Sequence, residues 1–315
     1  MVMAQMRSEV CAPRSSEQSS RDALLMGEDF KYLTPKLRLE PHMLCNPQVL
    51  SRTFHMVCSS NHCINIVRQI LGRRELLSLQ DYVPASFTRP VFVWEPVPDC
   101  CTPEEQQRFL LACRLVDVVS PNSLELGMMF GRLGWNEENT GDQELVREIL
   151  KSGIGPDCDG TLVIRAGKDG SYSYSRDRKG LWLPAYHQPD SSESSSLVVD
   201  PTGAGNSFLG ALALGLVSEG RSPIQMIESV LESSDSWNTI VREWGGNGQV
   251  PRALICATVA AGFVVEQISV PRLSPSMEGE ELWNGTSFTE RVRLYTQRLH
   301  KTLDQTSQTC NWSIG

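Results

Sequence analysis

Residues 200–208 have the composition of a turn that binds a phosphate group. Their sequence is Asp-Pro-Thr-Gly-Ala-Gly-Asn-Ser-Phe, and small and apolar residues with helical spacing follow. Glycines at alternate positions let backbone N–H groups turn toward a ligand, and a helix N-terminus adds partial positive charge. The turn is not a Walker A loop, because no Lys-Ser or Lys-Thr pair follows its glycines. It predicts an anion-binding site, although close packing of a helix on a strand explains such glycines about as well.

Short apolar runs and helical patterns alternate along the chain that must position this turn. The sequence predicts strands at residues 53–58, 91–95, 116–119, 161–164 and 197–199, and helices from about residues 62, 103, 122 and 203. Strands separated by helices of about 10 to 15 residues pair in parallel through right-handed crossovers. The predicted fold is therefore α/β, a doubly wound, mainly parallel sheet with helices on both faces.

Ligands of such sheets bind beyond the carboxyl ends of the strands. This rule selects the loops after residues 119, 164 and 199 as candidate ligand loops. Residues 171–186, with four aromatic side chains, are expected to form an antiparallel hairpin at the edge of the sheet. Residues 191–196 and 237–248 are expected to be loops. A last helix is expected where apolar residues recur at helical spacing, at Phe288, Val292, Tyr295, Leu299 and Leu303.

The overall composition excludes several classes of function. The 315 residues carry a net charge of −8, and the pI near 5.3 argues against the basic surface of a nucleic-acid-binding protein. The apolar runs are shorter than the roughly 18 to 20 residues of a membrane helix. Residues 1–11 lack the basic and then apolar order of a signal peptide. We therefore expect a cytoplasmic protein that binds a small molecule or a protein, with neither nucleic-acid nor membrane partners.

The ten cysteines do not indicate a disulfide scaffold in a chain of this length, and reduced thiols are expected. One cluster offers zinc ligands, since His55, Cys58, His62 and Cys63 fall within nine residues. Their spacing matches none of the usual structural zinc patterns. A strand that leads into a helix also need not direct these four side chains to one point, so zinc is not expected.

From residue 200 to residue 213 the sequence resembles the C-terminal signature of the pfkB/ribokinase family of small-molecule kinases. The resemblance implies that Gly203, Ala204 and Gly205 cradle the transferring phosphoryl group of ATP. The family has an aspartate as general base at the next position, where this chain has Asn206. An amide cannot accept the proton of the attacking hydroxyl at neutral pH. We expect phosphate binding to survive and the rate to fall by about 10²- to 10⁴-fold.

Two other segments extend the resemblance to the earlier loops. Residues 120–125 are similar to the family's Asn-x-x-Glu motif, which implies that Asn122 and Glu125 order Mg²⁺ and the phosphates through water. The same pair is typical of a helix cap with an acid in the first turn. Residues 165–170 are similar to the segment that lines the nucleotide site, which implies roles for Arg165, Gly167 and Gly170. A simple β-turn explains these two glycines equally well.

Three further site residues are implied by the resemblance alone. Asp200 matches a position that binds a monovalent cation in some members, and Thr202 lies in the nucleotide loop beside it. Residues 253–266 are similar to the late helix that flanks the adenine, where the small side chain of Ala257 would admit a flat ring. Small residues at a contact between two helices are equally expected there.

The early part of the chain lacks the family's acceptor-binding motifs. Of the 24 glycines only Gly27 and Gly72 precede residue 127, so no Gly-Gly motif for a sugar is present. We expect an N-terminally shortened fold whose exposed sheet edge a homo-oligomer would cover. Its expected parts are a disordered arm at 1–22, a lid or linker remnant at 23–52, the α/β domain at 53–304 and a tail at 305–315.

The residues and the resemblance together predict an ATP-dependent pfkB-type kinase that acts on a hydroxyl of a sugar or nucleoside-like molecule. Catalysis is expected to be impaired because Asn206 replaces the general base. The alternative is a non-catalytic nucleotide-binding scaffold or regulatory protein, a pseudokinase. Segments 93–98, 116–122 and 200–208 are most similar to one fungal branch of the family, the maintenance-of-killer proteins. A dinucleotide-dependent oxidoreductase is disfavoured, because no Gly-x-Gly-x-x-Gly follows the first predicted strand.

Overall fold

The computed structural model describes residues 4–6, 39–79, 89–188, 197–218, 223–244, 249–275 and 281–306. Within these ranges one sheet has seven strands in chain order. They are β1 (Ala4–Met6), β2 (Thr53–Cys58), β3 (Val91–Pro96), β4 (Val118–Val119), β5 (Thr161–Arg165), β6 (Ser171–Ser175) and β7 (Leu181–Leu183). The first five strands pair in parallel, and the last two pair antiparallel as the predicted hairpin.

Helices cover both faces of this sheet, as the sequence predicts. They are α1 (Asn46–Val49), α2 (Ser60–Leu79), α3 (Gln106–Cys113), α4 (Ser123–Met129), α5 (Thr140–Ser152), α6 (Ala204–Gly215), α7 (Ile224–Leu231), α8 (Asp235–Trp244), α9 (Gln249–Val264) and α10 (Phe288–Thr306). A second, small antiparallel sheet comprises β8 (Leu273–Pro275), β9 (Glu281–Trp283) and β10 (Thr286–Ser287).

The sheet separates two apolar cores. Alternate strand residues such as Phe54, Phe92 and Trp94 pack with α2 to α5. The intervening residues, among them Val93 and Val163, pack with α6 to α10. Because side chains alternate along a strand, the parity of each residue decides which helix layer it faces.

The same alternation places three polar residues toward α6. His55 is the register partner of Val93, Glu95 lies two residues after Val93, and Arg165 lies two residues after Val163. Glu95 and Arg165 also stand near the carboxyl ends of their parallel strands, β3 and β5. The fold therefore directs a histidine, a carboxylate and a guanidinium toward the layer that contains α6.

Two predicted elements differ in the structure. Residues 197–199 form no strand, because no neighbouring strand offers them a ladder; the N–H of Val199 donates to the carbonyl oxygen of Val265 at the end of α9. Residues 237–244, predicted as loop, belong to α8. Trp237 and Trp244 are both buried there, at a spacing of two helical turns that the polar residues between them obscure.

The structure describes parts of the predicted arm at 1–22 and of the predicted lid or linker remnant at 23–52. Ala4–Met6, within the predicted disordered arm, form the edge strand β1 on β2. Residues 39–52 of the predicted lid remnant contain the short turn Pro41–Met43 and α1. The rest of both segments, the loop at 191–196 and the tail beyond 306 lie outside the described residues.

Candidate phosphate-binding site

The turn before α6 has a backbone fixed by one aspartate and one glycine. Asp200 Oδ1 accepts a hydrogen bond of 2.9 Å from the N–H of Thr202. Gly203 is the N-cap of α6 and has a φ of +86°, in the left-handed region that favours glycine. The sequence Asp-Pro-Thr-Gly thus ends the loop and starts the helix at a defined residue.

The first turn of α6 presents donors to its surroundings. Within the described residues, the N–H groups of Gly205 and Asn206 have no backbone acceptor, as is usual for the first turn of a helix. The 12-residue helix adds partial positive charge at this end. This backbone geometry is compatible with the predicted anion cradle.

Arg165 lies directly against this cradle. A Cβ atom at residue 205 would collide with Nη1 of Arg165, so the absence of a side chain at Gly205 admits the guanidinium. Nη2 of the same guanidinium donates to Glu95 Oε1 at 2.8 Å, to the carbonyl oxygen of Ser120 at 3.1 Å and to Glu125 Oε2 at 3.3 Å. One cation therefore bridges two carboxylates and the N-terminus of α6.

Asn122 and Glu125 form a helix cap, which is one of the two interpretations that the sequence allows. Asn122 Oδ1 accepts the N–H of Glu125 at 2.8 Å, and Glu125 Oε2 accepts the N–H of Asn122 at 2.8 Å. Burial raises the pKa of the Glu125 carboxyl to about 7, against the opposing effects of Arg165 and the Asn122 N–H. Glu125 thus serves α4 and the Arg165 ion pair at the same time.

His55 and Glu95 extend the cluster toward β2 without completing its hydrogen bonds. His55 Nε2 lies 3.8 Å from Glu95 Oε2. Both ring nitrogens of His55, Glu95 Oε2 and Arg165 Nε are buried and have no hydrogen-bond partner. Burial alone would raise the pKa of Glu95, but Arg165 and His55 lower it below its ordinary value. Unpaired buried polar atoms of this kind are rare and mark a place where another group is expected.

The cluster does not fit a divalent cation at Glu125. The Glu125 oxygen that caps α4 is also the one next to the Arg165 guanidinium, so a metal ion there would meet a fixed positive charge. Asp200 lies in the turn before α6, where its carboxylate accepts a hydrogen bond from the N–H of Thr202. It does not form a group of metal ligands with Glu125. Among the described residues, no three His, Cys, Asp or Glu side chains are grouped to hold a metal.

Gly170, Gly167 and Ala257 were also expected in the site, and the structure shows the surroundings of each. Gly170 has a φ of +87°, and a side chain there would collide with the carbonyl oxygen of Leu183, so the turn into the hairpin requires it. Gly167, with a φ of +59°, belongs to the exposed turn Gly167–Asp169 and has open space around it. Ala257 is completely buried where α9 packs on α6 and offers no surface to a ring. This burial favours the packing interpretation of Ala257.

Sequence reasoning missed His55 and Glu95 as members of the site. The available signal was the alternation of side chains along each strand. Both residues lie on the same face of the sheet as Val93, and Glu95 stands near the end of a predicted strand. The residues that the sequence did select at this point, namely Arg165, Glu125 and Gly205, are brought together by the structure.

None of the described helices is long and apolar enough to cross a membrane.

Comparison with known proteins identifies the family. The model of the pfkB family carbohydrate kinases matches residues 96–271, more than half of the chain. The chain belongs to the pfkB family of carbohydrate kinases. In this pfkB chain the matched range includes Asn122, Glu125, Arg165 and the turn before α6, while Glu95 and His55 lie before it.

Relatives from two yeasts match most of this pfkB chain. An uncharacterized protein of Schizosaccharomyces pombe is 27% identical over 279 residues, which are 86% of this chain and 66% of the relative. Protein MAK32 of Saccharomyces cerevisiae is 28% identical over 278 residues, which are 84% of this chain and 64% of the relative. The chain thus spans just under two thirds of the length of these two relatives.

Solved structures match at lower identity and with TM-scores below 0.5. The ribokinase of Arabidopsis thaliana complexed with ribose and ATP has a TM-score of 0.48 and 16% identity, over 82% of this chain and 61% of that protein. A putative ribokinase II from E. coli in complex with ATP and Mg²⁺ has a TM-score of 0.44 and 17% identity, over 82% of this chain and 63% of that protein.

Proposed function

We propose that this chain binds the phosphate groups of ATP at the N-terminus of α6 and transfers the terminal phosphoryl group to an alcohol only slowly. The observation that carries the proposal is the placement of the Arg165 guanidinium against Gly205, beside the free N–H groups of Gly205 and Asn206. Membership of the pfkB family supports the choice of a nucleotide as the ligand and of a sugar or nucleoside-like alcohol as the acceptor.

The residues of the chain have distinct parts in this proposal. Gly203 sets the turn, and the N–H groups that follow it donate to the phosphoryl oxygens. Arg165 adds a positive charge, because a guanidinium stays protonated and matches the oxygens of a phosphate. Asn206 orients the acceptor hydroxyl but cannot take its proton, which accounts for a rate about 10²- to 10⁴-fold below that of a chain with a working base.

The test measures binding and transfer separately. Isothermal titration with ATP reports binding to the wild-type chain, and a panel of sugars and nucleosides reports phosphorylation. Asn206→Asp restores a carboxylate and is expected to raise the rate by about 10²-fold or more, while Asn206→Ala, the matched control, is not. Absence of ATP binding by the folded wild-type chain would contradict the proposal.

A second candidate function is a nucleotide-binding protein without transfer activity. It is favoured by the bonds of Arg165 to both Glu95 and Glu125, which hold these carboxylates in an internal ion pair. Binding of ATP without phosphorylation by either the wild type or Asn206→Asp would support this candidate over the slow kinase.

Two smaller proposals accompany the function. A monovalent cation at Asp200 predicts tighter ATP binding in a buffer with K⁺ than in a buffer with a large organic cation at equal ionic strength.

Association of copies along the edge of the sheet predicts a molecular mass by light scattering that rises with protein concentration. A monomer at all concentrations would contradict the second proposal.

A further inference from the structure

We infer that the Arg165 guanidinium takes the place of a divalent cation in this site, so that the site binds phosphate esters without a metal ion. The inference rests on the proposed function, since it concerns the same cradle at the start of α6. It goes beyond that function by stating which positive charge neutralises the ligand.

The position of the guanidinium is the first argument. Nη2 is bound to Glu95, Ser120 and Glu125, while Nη1 points to the place where a side chain at residue 205 would be. A positive charge beside the N-terminus of α6 would neutralise part of the charge of a bound phosphate. The guanidinium of Arg165, a residue of β5, has this position. The side chain is only 13% exposed, so this charge is held in place.

The charge balance of the cluster is the second argument. Glu95 Oε1 and Glu125 Oε2 both pair with Nη2 of Arg165, so a second cation bound at either of these two oxygens would lie beside the guanidinium. A divalent ion at Glu125 would stand beside the guanidinium, and two like charges at this distance in a poorly hydrated place repel strongly. Bringing a metal into the site would therefore require Arg165 to leave.

The remaining donors are the third argument. Nη1 of Arg165 lies against Gly205. This nitrogen and the N–H groups of Gly205 and Asn206 have no acceptor among the described residues. These groups match an anion with several oxygens, because a phosphate accepts hydrogen bonds on each of them. The buried Arg165 Nε, which also has no partner, adds to the unused donor capacity of the guanidinium.

The decisive experiment is isothermal titration of the wild-type chain with ATP in EDTA and, separately, in excess MgCl₂. We expect the two dissociation constants to agree within about threefold, and titration with MnCl₂ alone to show no binding at this site. Binding in MgCl₂ that weakens more than about tenfold in EDTA would overturn the inference and leave the proposed function standing. Absence of binding in both buffers would overturn the inference together with the proposed function.

A pair of variants tests the role of Arg165 itself. In Arg165→Gln we expect ATP affinity in EDTA to fall by about tenfold or more and Mg²⁺ to recover part of it, because two carboxylates become available. Arg89→Gln is the matched control, since Arg89 bonds both oxygens of Asp117, at 2.6 and 2.7 Å, beside the amino ends of β3 and β4. Unchanged affinity of Arg165→Gln in EDTA would overturn the inference.

A second pair serves if Arg165→Gln does not fold. Gly205→Ala places a Cβ against Nη1 and is expected to weaken binding in EDTA by displacing the guanidinium. Gly72→Ala is its control, because residue 72 also lies within a helix and has open space around it. Equal affinities of these two variants in EDTA would contradict the inference.

Discussion

Two clusters of buried charge in this molecule contain the same kinds of residue but pair their atoms differently. The site cluster lies where the sheet meets the N-terminus of α6, and the helix cluster joins α9 to α10. The site cluster consists of His55, Glu95, Glu125 and Arg165, and the helix cluster consists of His187, Glu266, Asn284 and Arg291.

The carboxylate of the helix cluster has a partner on every side. Glu266 Oε1 lies 3.1 Å from His187 Nε2, and Oε2 accepts from Asn284 Nδ2 and Arg291 Nη2, each at 2.8 Å. The Arg291 guanidinium also lies 3.7 Å from the centre of the Phe263 ring. Burial alone would raise the pKa of Glu266, but its bonds to His187 and Arg291 lower it to about 2.

The site cluster contrasts with this arrangement. Both nitrogens of His55 and one oxygen of Glu95 lack partners, and the pKa of Glu125 is raised to about 7. A complete set of hydrogen bonds stabilises the folded chain, whereas buried polar groups without hydrogen-bond partners are unusual in a protein interior and are more common at binding sites. This contrast indicates a stabilising role for the helix cluster and supports the proposal that the site cluster binds a ligand.

The largest expected effect is the loss of Arg291. Arg291→Gln leaves Glu266 buried without its cation and is expected to lower the free energy of unfolding by about 3 to 5 kcal/mol. Urea denaturation measures it. Arg293→Gln is the control, because Arg293 forms an exposed pair with Glu290 three residues earlier, and it should change stability by about 0.5 kcal/mol or less. Similar losses in both variants would contradict a stabilising helix cluster.

Acid should weaken the helix cluster. Since the pKa of Glu266 is lowered in the folded chain, its contribution is complete above the ordinary value of 4.5 and is lost as the pH falls toward 2. The expected loss is about 3 kcal/mol, measured as the difference between the wild type and Glu266→Gln across this range. Parallel stability curves for the two proteins would refute this assignment.

Glu125 of the site cluster should contribute to the pH dependence of stability with the opposite sign. The pKa of Glu125 is raised, so the folded chain holds a proton that the unfolded chain releases, and stability falls as the pH rises from about 4.5 to about 7. The fall is expected to reach about 3 kcal/mol. Glu125→Gln keeps the oxygen that caps α4 and should remove this pH dependence. If the stability of the wild type relative to Glu125→Gln instead rose between pH 4.5 and pH 7, the prediction would be wrong.

The smallest effect separates the two histidines. His187→Leu removes a partner of Glu266 and should destabilise the chain by about 1 to 3 kcal/mol. His55→Leu removes a side chain whose nitrogens make no hydrogen bond, although Nε2 lies 3.8 Å from Glu95 Oε2, and should lower the free energy of unfolding by about 1 kcal/mol or less. Thermal unfolding of the two variants compares them, and a larger loss for His55→Leu would contradict the comparison.

The sequence was sufficient for the parallel core of the fold. Residues 53–58 and 91–96 are mostly apolar, apart from Thr53, His55 and Glu95, because both faces of the sheet are covered by helices, and such runs are visible in one sequence. Residues 197–199 are also apolar, but they pair with none of the described strands. A strand requires a distant partner, and single-sequence patterns do not contain this information.

The sequence predicts the separate motifs of the site but not the contacts between their side chains. The turn before α6 and the pair Asn122 and Glu125 have recognisable spacing. The contact of Arg165 with Gly205 depends on residues 40 positions apart and on the direction of one long side chain, so no local pattern indicates it. The same dependence explains why Glu95, on a third strand, was missed.

The most direct test of the contrast between the clusters is amide hydrogen exchange of the wild-type chain with and without ATP, in EDTA. ATP is expected to slow exchange in peptides that cover residues 203–208, at the start of α6, and to leave peptides that cover residues 263–266 and 288–298 unchanged. Slowed exchange in the helix cluster with no change at residues 203–208 would contradict the account.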